Sequence, residues 1–200
     1  MDDEEFQDEE PQQEKTQPAI SALRYETPSE LYAAMQQIRN LMQHRPNEDE
    51  SAVAFLARLR SSTTPEEAVT FTAFAARAKM AIWWGYECVR TSSEEMSADD
   101  RALMEQIANW TTHPDAQNRY VVMKEALWAP QRTPVVLLGL AVGWSGGQFA
   151  PNDPAQVPAF RTPRAVNSAV LSCLAKSSLS RRPIELARFL DLALSLYRVL

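Results

Sequence analysis

Glycine is scarce in this sequence, with five among 200 residues. Tight hairpins need positive φ, which glycine adopts most cheaply, so this scarcity argues against a hairpin-rich β fold. Histidine and cysteine are rarer still, at two each. His44 and His113 form no His-x-x-x-His pair, and Cys88 and Cys173 form no Cys-x-x-Cys pair, so metal-ligand spacing is missing. Two isolated thiols fit a reducing cytoplasm in which both stay free and buried. No Gly-rich phosphate cradle exists. Long apolar runs are lacking as well: Val135 to Trp144 is the longest, against the roughly 20 residues that a membrane span needs. The opening Met1-Asp2-Asp3-Glu4-Glu5 is the reverse of a basic signal-peptide start. Neither cofactor, metal nor membrane insertion is expected.

What remains is 45% hydrophobic and 23% charged, with 13 prolines, over a length suited to one domain. The net charge of −6 is unevenly spread. Residues 1–26 hold nine acidic side chains against two basic ones, and residues 27–118 hold thirteen against eight. Residues 119–200 reverse the balance, with four acidic against ten basic. Residues 1–18 have too little apolar surface to offset the entropy of ordering and are expected to be a disordered acidic tail. Residues 19–200 are expected to form a single helical domain.

Punctuation by proline places the helices. Thr27-Pro28, Thr64-Pro65, Thr133-Pro134 and Thr162-Pro163 each put a capping hydroxyl before a residue suited to the first helical position. Glu30 and Glu67 complete two capping boxes, Ser97 with Asp100 resembles a third, and His113-Pro114 and Arg182-Pro183 read as weaker starts. Apolar spacing fills in the rest. Leu31, Met35, Ile38 and Met42 make one stripe, and Phe55, Leu56 and Leu59 mark a second helix. Val69 through Val89 reads as one long helix, followed by Leu103, Ile107 and Trp110, then Val121, Val122, Leu127 and Trp128. Val135–Trp144 is apolar all round and is expected to be a buried helix, ended by a left-handed cap at Gly146-Gly147; a buried strand is the alternative, which Pro134 behind a Thr cap disfavours. A proline-broken loop over 148–162 and two final helices, from Pro163 and Pro183, complete an all-α, compact bundle of about seven or eight helices.

Few residues suggest chemistry. Gly143-Trp144-Ser145-Gly146-Gly147 fits the Gly-x-Ser-x-Gly nucleophile elbow, yet that chemistry needs a strand–turn–helix and a histidine base following the serine. Both histidines precede Ser145, so a helix C-cap is the better reading. Cys88 lies among apolar neighbours, as inert thiols do. Arg161, Arg164, Lys176, Arg181, Arg182, Arg188 and Arg198 make the C-terminal part basic but form no nucleic-acid reading motif, and the acidic tail would compete with phosphates. Five tryptophans are the notable surplus. Trp83 and Trp84 point roughly 100° apart on a helix, so either one belongs to the core and the other to an edge or groove, or both are packed on different neighbours.

Ala81-Ile82-Trp83-Trp84-Gly85, Ala108-Asn109-Trp110, Ala141-Val142-Gly143-Trp144-Ser145-Gly146-Gly147 and Ala150-Pro151-Asn152 carry a resemblance. Over about residues 78–175 the chain resembles a proteobacterial helical domain family of unknown function, often encoded beside type VI secretion genes. The resemblance implies a cytoplasmic accessory protein that handles a secretion component or effector, and it brings no catalytic residues. The expectation is therefore a non-enzymatic adaptor or chaperone-like factor that binds another protein and no nucleic acid. Trp83, Trp84, Trp144, Arg161, Arg164, Arg181 and Arg182 are its candidate contacts. An immunity-type inhibitor of an effector, or a serine hydrolase using Ser145, are the alternatives.

Overall fold

The computed structural model describes residues 22–92, 96–150 and 152–197, so the expected tail over 1–18 lies outside the described residues. Among them are nine α-helices and no strand. The helices are α1 (Pro28–Ala34), α2 (Ala52–Arg60), α3 (Glu67–Ala75), α4 (Ala78–Ser92), α5 (Ala98–Thr112), α6 (Ala116–Trp128), α7 (Pro134–Trp144), α8 (Arg161–Lys176) and α9 (Arg182–Tyr197).

Several starts form as their caps dictate. Thr27, Ser97 and Thr133 accept from the backbone N–H of Glu30, Asp100 and Val136, satisfying donors that have no partner inside the helix. Ser51 and Asp115 cap α2 and α6 in the same way, the latter two residues beyond the His113 start expected from the proline. Two further starts differ from expectation. α8 begins at Arg161, leaving Thr162 and Pro163 buried inside its first turn rather than before it. α3 begins at Glu67 with no side-chain cap.

Glu67 has a different task from the expected capping box. Its carboxylate accepts the backbone N–H of Gln43 at 2.8 Å and of His44 at 3.1 Å, and meets the His44 ring Nδ1 at 3.0 Å. It thereby ties the segment after α1 to α3. In the first stripe, the α-helix stops at Ala34 and continues as a 3-10 turn over Gln36–Asn40, although all four stripe residues are buried as expected.

The single long helix expected from Val69 to Val89 is two helices. Ala76 is extended, and the break is held from outside by segment 22–24. Arg24 N–H donates to Ala75 O at 2.9 Å and Arg77 N–H to Ala22 O at 2.8 Å. The Arg24 and Arg77 side chains add Nε donors to Ala76 O and Leu23 O. Neither proline nor glycine marks this break in the sequence.

At the centre lies α7, in contact with α4, α5, α6 and α8. Nine of its residues, from Pro134 to Gly143, are buried, in agreement with the all-round apolar reading. On the far side, α9 covers α2, α3, α4 and α8 with Leu186, Phe189, Leu190, Ala193 and Leu196. The apolar final helix is thus covered by its own domain. Trp84, wholly buried, donates its indole N–H to Phe189 O at 2.9 Å and joins α4 to α9. No helix among the described residues is long and apolar enough to cross a membrane.

Candidate functional site

The C-terminal turn of α7 answers the catalytic question first. Ser145 Oγ donates to Val142 O at 2.7 Å, turned back onto its own helix. Neither histidine ring is hydrogen-bonded to it: His44 is engaged by Glu67, and His113 is the exposed C-cap of α5. The glycines serve packing. A Cβ on Gly146 would lie 2.2 Å from Arg119 Nε, a distance no real contact permits, and Gly147 has φ +84°. Arg119, 5% exposed, lies in the space this leaves and donates to Gly143 O at 2.6 Å and Gln148 O at 3.0 Å. Its guanidinium stacks over the Tyr120 ring at 4.1 Å. The motif is a socket for a buried arginine, which supplies a donor to the Gly143 carbonyl in the last turn of α7 and to Gln148 in the loop beyond it.

Beside this socket, Arg161 Cζ lies 5.2 Å from the Trp144 ring centroid and 5.1 Å from that of Phe149. These cation–π contacts fasten the start of α8 to the turn after α7. Val157 N–H donates to Gly147 O at 2.7 Å and closes the loop between them.

The other expected contact residues scatter. Trp84 belongs to the core and is removed from any surface role by its complete burial. Trp83, about 100° around α4 from Trp84, is half-buried and packs against the core. Arg164 is exposed one turn beyond Arg161, whereas Arg181 and Arg182 belong to the other end of α8, about 22 Å away at 1.5 Å per residue. Arg182 is held against the last carbonyls of α8, donating to Leu174 O at 3.0 Å. Arg181 lies 3.8 Å from the buried carboxylate of Glu185, which also accepts from Ser177 Oγ. Arg161, Arg181 and Arg182 are therefore engaged within the protein's own helices.

Both thiols are free and buried. Burial pushes the Cys88 thiol well above its ordinary value and the Cys173 thiol upward too, the reverse of an activated nucleophile. Among the described residues, no three His, Cys, Asp or Glu side chains are grouped to hold a metal ion.

A larger concave surface than the one of about 390 Å³ beside Lys176, Arg181 and Glu185 lies elsewhere. A groove of about 510 Å³ runs between the start of α5 and the end of α6, floored by Leu103 and Val136. Asp99, Asp100 and Glu125 line it with Gln106, and Trp128 stands at its edge, 82% exposed. Asp100 is fixed by the Thr133 hydroxyl at 2.8 Å, so the α6–α7 turn closes one end. The apolar residues that mark this helix in the sequence include Val121, Leu127 and Trp128, and the structure turns all three outward. The packed face is Arg119, Val122, Met123 and Ala126. Trp128 lies two residues past Ala126, about 200° around the helix, and that angle was the available signal.

The fold is an all-α bundle centred on one buried helix, whose open face is an aromatic and acidic groove. Residues 55–197, more than half of the chain, match the model of DUF6931, a family of unknown function, and the chain belongs to that family. The match reaches further than the aromatic and glycine signatures, taking in α3 and α9. No curated protein and no solved structure matches the chain.

Proposed function

We propose that this chain is a protein-binding accessory factor whose docking surface is the groove between α5 and α6. One observation carries the reading: an indole 82% exposed at the rim of a 510 Å³ concave surface. A large aromatic side chain left in water is costly, and such residues supply much of the binding energy at protein interfaces. The residues with chemical potential support the same reading from the other side. Ser145 is bonded to its own helix, and both cysteines are buried thiols with raised pKa.

The resemblance to proteins encoded beside type VI secretion genes suggests a setting. In that setting the factor is a cytoplasmic adaptor or chaperone for a secretion component or effector. Affinity capture from the native host tests the reading, using the full chain, Trp128→Ala and Arg164→Ala. The expected result is a stoichiometric protein partner kept by Arg164→Ala and lost with Trp128→Ala. Equal retention by Trp128→Ala would move the docking surface away from the groove. A partner lost only with Arg164→Ala would place it at the start of α8.

A further inference from the structure

The chemistry of the groove narrows what enters it. Its charged and amide groups offer acceptors: the carboxylates of Asp99, Asp100 and Glu125, and the Gln106 side chain, whose Oε1 is buried without a hydrogen-bond partner. Among the described residues, no Lys or Arg lines the groove. Arg132, close by in sequence, is turned onto the carbonyls of Ala126 and Ala129 at the end of α6.

Helix dipoles account for only part of this acidity. Asp99 and Asp100 occupy the first turn of α5, where negative charge is favoured. Glu125 occupies the last turn of α6, where negative charge is disfavoured by about 0.3–1 kcal/mol. Three residues separate it from Trp128, a spacing that puts a carboxylate and an exposed indole on one helix face. The pair is a poor choice for the stability of α6. It is a good choice for a planar cation, which stacks on an indole and presents paired N–H donors to a carboxylate.

We infer that the groove takes an arginine-bearing, otherwise apolar segment of a partner protein. The inference rests on the protein-binding reading above and deepens it. The guanidinium stacks on Trp128 and pairs with Glu125 and Asp99, while neighbouring apolar side chains cover Leu103 and Val136. A rotation of the Gln106 amide offers its unpaired oxygen to a donor lodged on the floor. The chain's own residues 1–18 are the wrong occupant, since they carry eight acidic side chains and one basic one.

A fluorescent peptide of about ten residues, alternating leucine and arginine, titrated into the full chain provides the test. The same peptide with citrulline for arginine keeps the shape and removes the charge. Saturable binding is expected, with a shift of the Trp128 indole N–H resonance, assigned by its loss in Trp128→Phe. Trp128→Ala is expected to weaken binding about thirtyfold, as for an interface hot spot. Asp99→Asn with Glu125→Gln is expected to weaken it about tenfold, and the citrulline peptide to lose at least as much. Equal binding of the citrulline peptide, no response to the paired carboxylate substitution, or no binding at all would each overturn the arginine assignment. Capture of a native partner through Trp128 would still stand in those cases, so the two readings fail separately.

Discussion

The α7 turn and the α5–α6 groove stand in opposite relations to the sequence and to solvent. The turn carries the most conspicuous motif in the chain, and its polar groups are answered from within. Ser145 bonds Val142, and the carbonyls of Gly143 and Gln148 receive Arg119. The groove has no motif, yet a tryptophan and carboxylates face outward there. The contrast teaches that a glycine-rich signature can record a steric requirement. Gly146 is required because an arginine occupies the space where a side chain would be, and a pattern search reads that requirement as chemistry.

The comparison can be broken by substitution at either region. The largest expected effect is on stability at the turn. Arg119→Met fills similar space but takes the donor from one buried and one partly buried carbonyl, and is expected to cost about 2 kcal/mol in urea denaturation. Retained stability would show that the arginine is kept for another purpose. Gly146→Ala drives a Cβ into the same guanidinium and is expected to cost about 2 kcal/mol, measured in the same way.

Glu67 gives a smaller, pH-dependent effect. Burial pushes its carboxyl up, but the Gln43 and His44 amides and the His44 ring outweigh this and hold it below its ordinary value. A depressed folded pKa contributes stability above the unfolded value of 4.5, lost as pH falls through the folded value. Glu67→Gln is expected to cost about 1 kcal/mol at neutral pH and to flatten the fall in urea midpoint on acidification. An unchanged acid profile would remove Glu67 as its source.

Ser145→Ala removes one exchangeable hydrogen bond, and a loss of about 0.5–1 kcal/mol is expected. Any catalytic turnover abolished by that substitution would reverse the reading of the turn. Trp128→Ala is expected to leave stability within about 0.5 kcal/mol, because so exposed a side chain has little packing to lose. A large stability loss there would mean that the indole serves the fold, and the contrast between the two regions would collapse.

Legibility in the sequence followed locality. Caps at Thr27, Ser97 and Thr133 act through the next three residues, so their roles were readable in advance. The burial of Val135–Val142 was readable because an apolar segment with no polar face has only the interior to occupy. The candidate site was much less legible. Of seven expected contact residues, Trp84 proved to be core, Arg182 a helix-end donor and Arg161 a stacking partner of Trp144. Trp128, the most exposed aromatic in the groove, served in the sequence only to mark the fifth helix and as one of five surplus tryptophans, because hydrophobicity alone does not report direction.

By itself, then, the sequence determined an α-helical body, the helix starts at Thr27, Ser97 and Thr133 and the central place of α7, since capping and apolar periodicity operate over one or two turns. Tertiary structure alone decided that the alanine-rich stretch around Ala76 would break, because segment 22–24 supplies the hydrogen bonds that make an extended residue favourable there. It also decided that Glu67 would reach Gln43 and that Arg119 would fill the glycine socket. Those partners are between 24 and 55 residues apart along the chain. Only the folded packing of helices brings them within hydrogen-bonding distance, where the loss of water can be compensated.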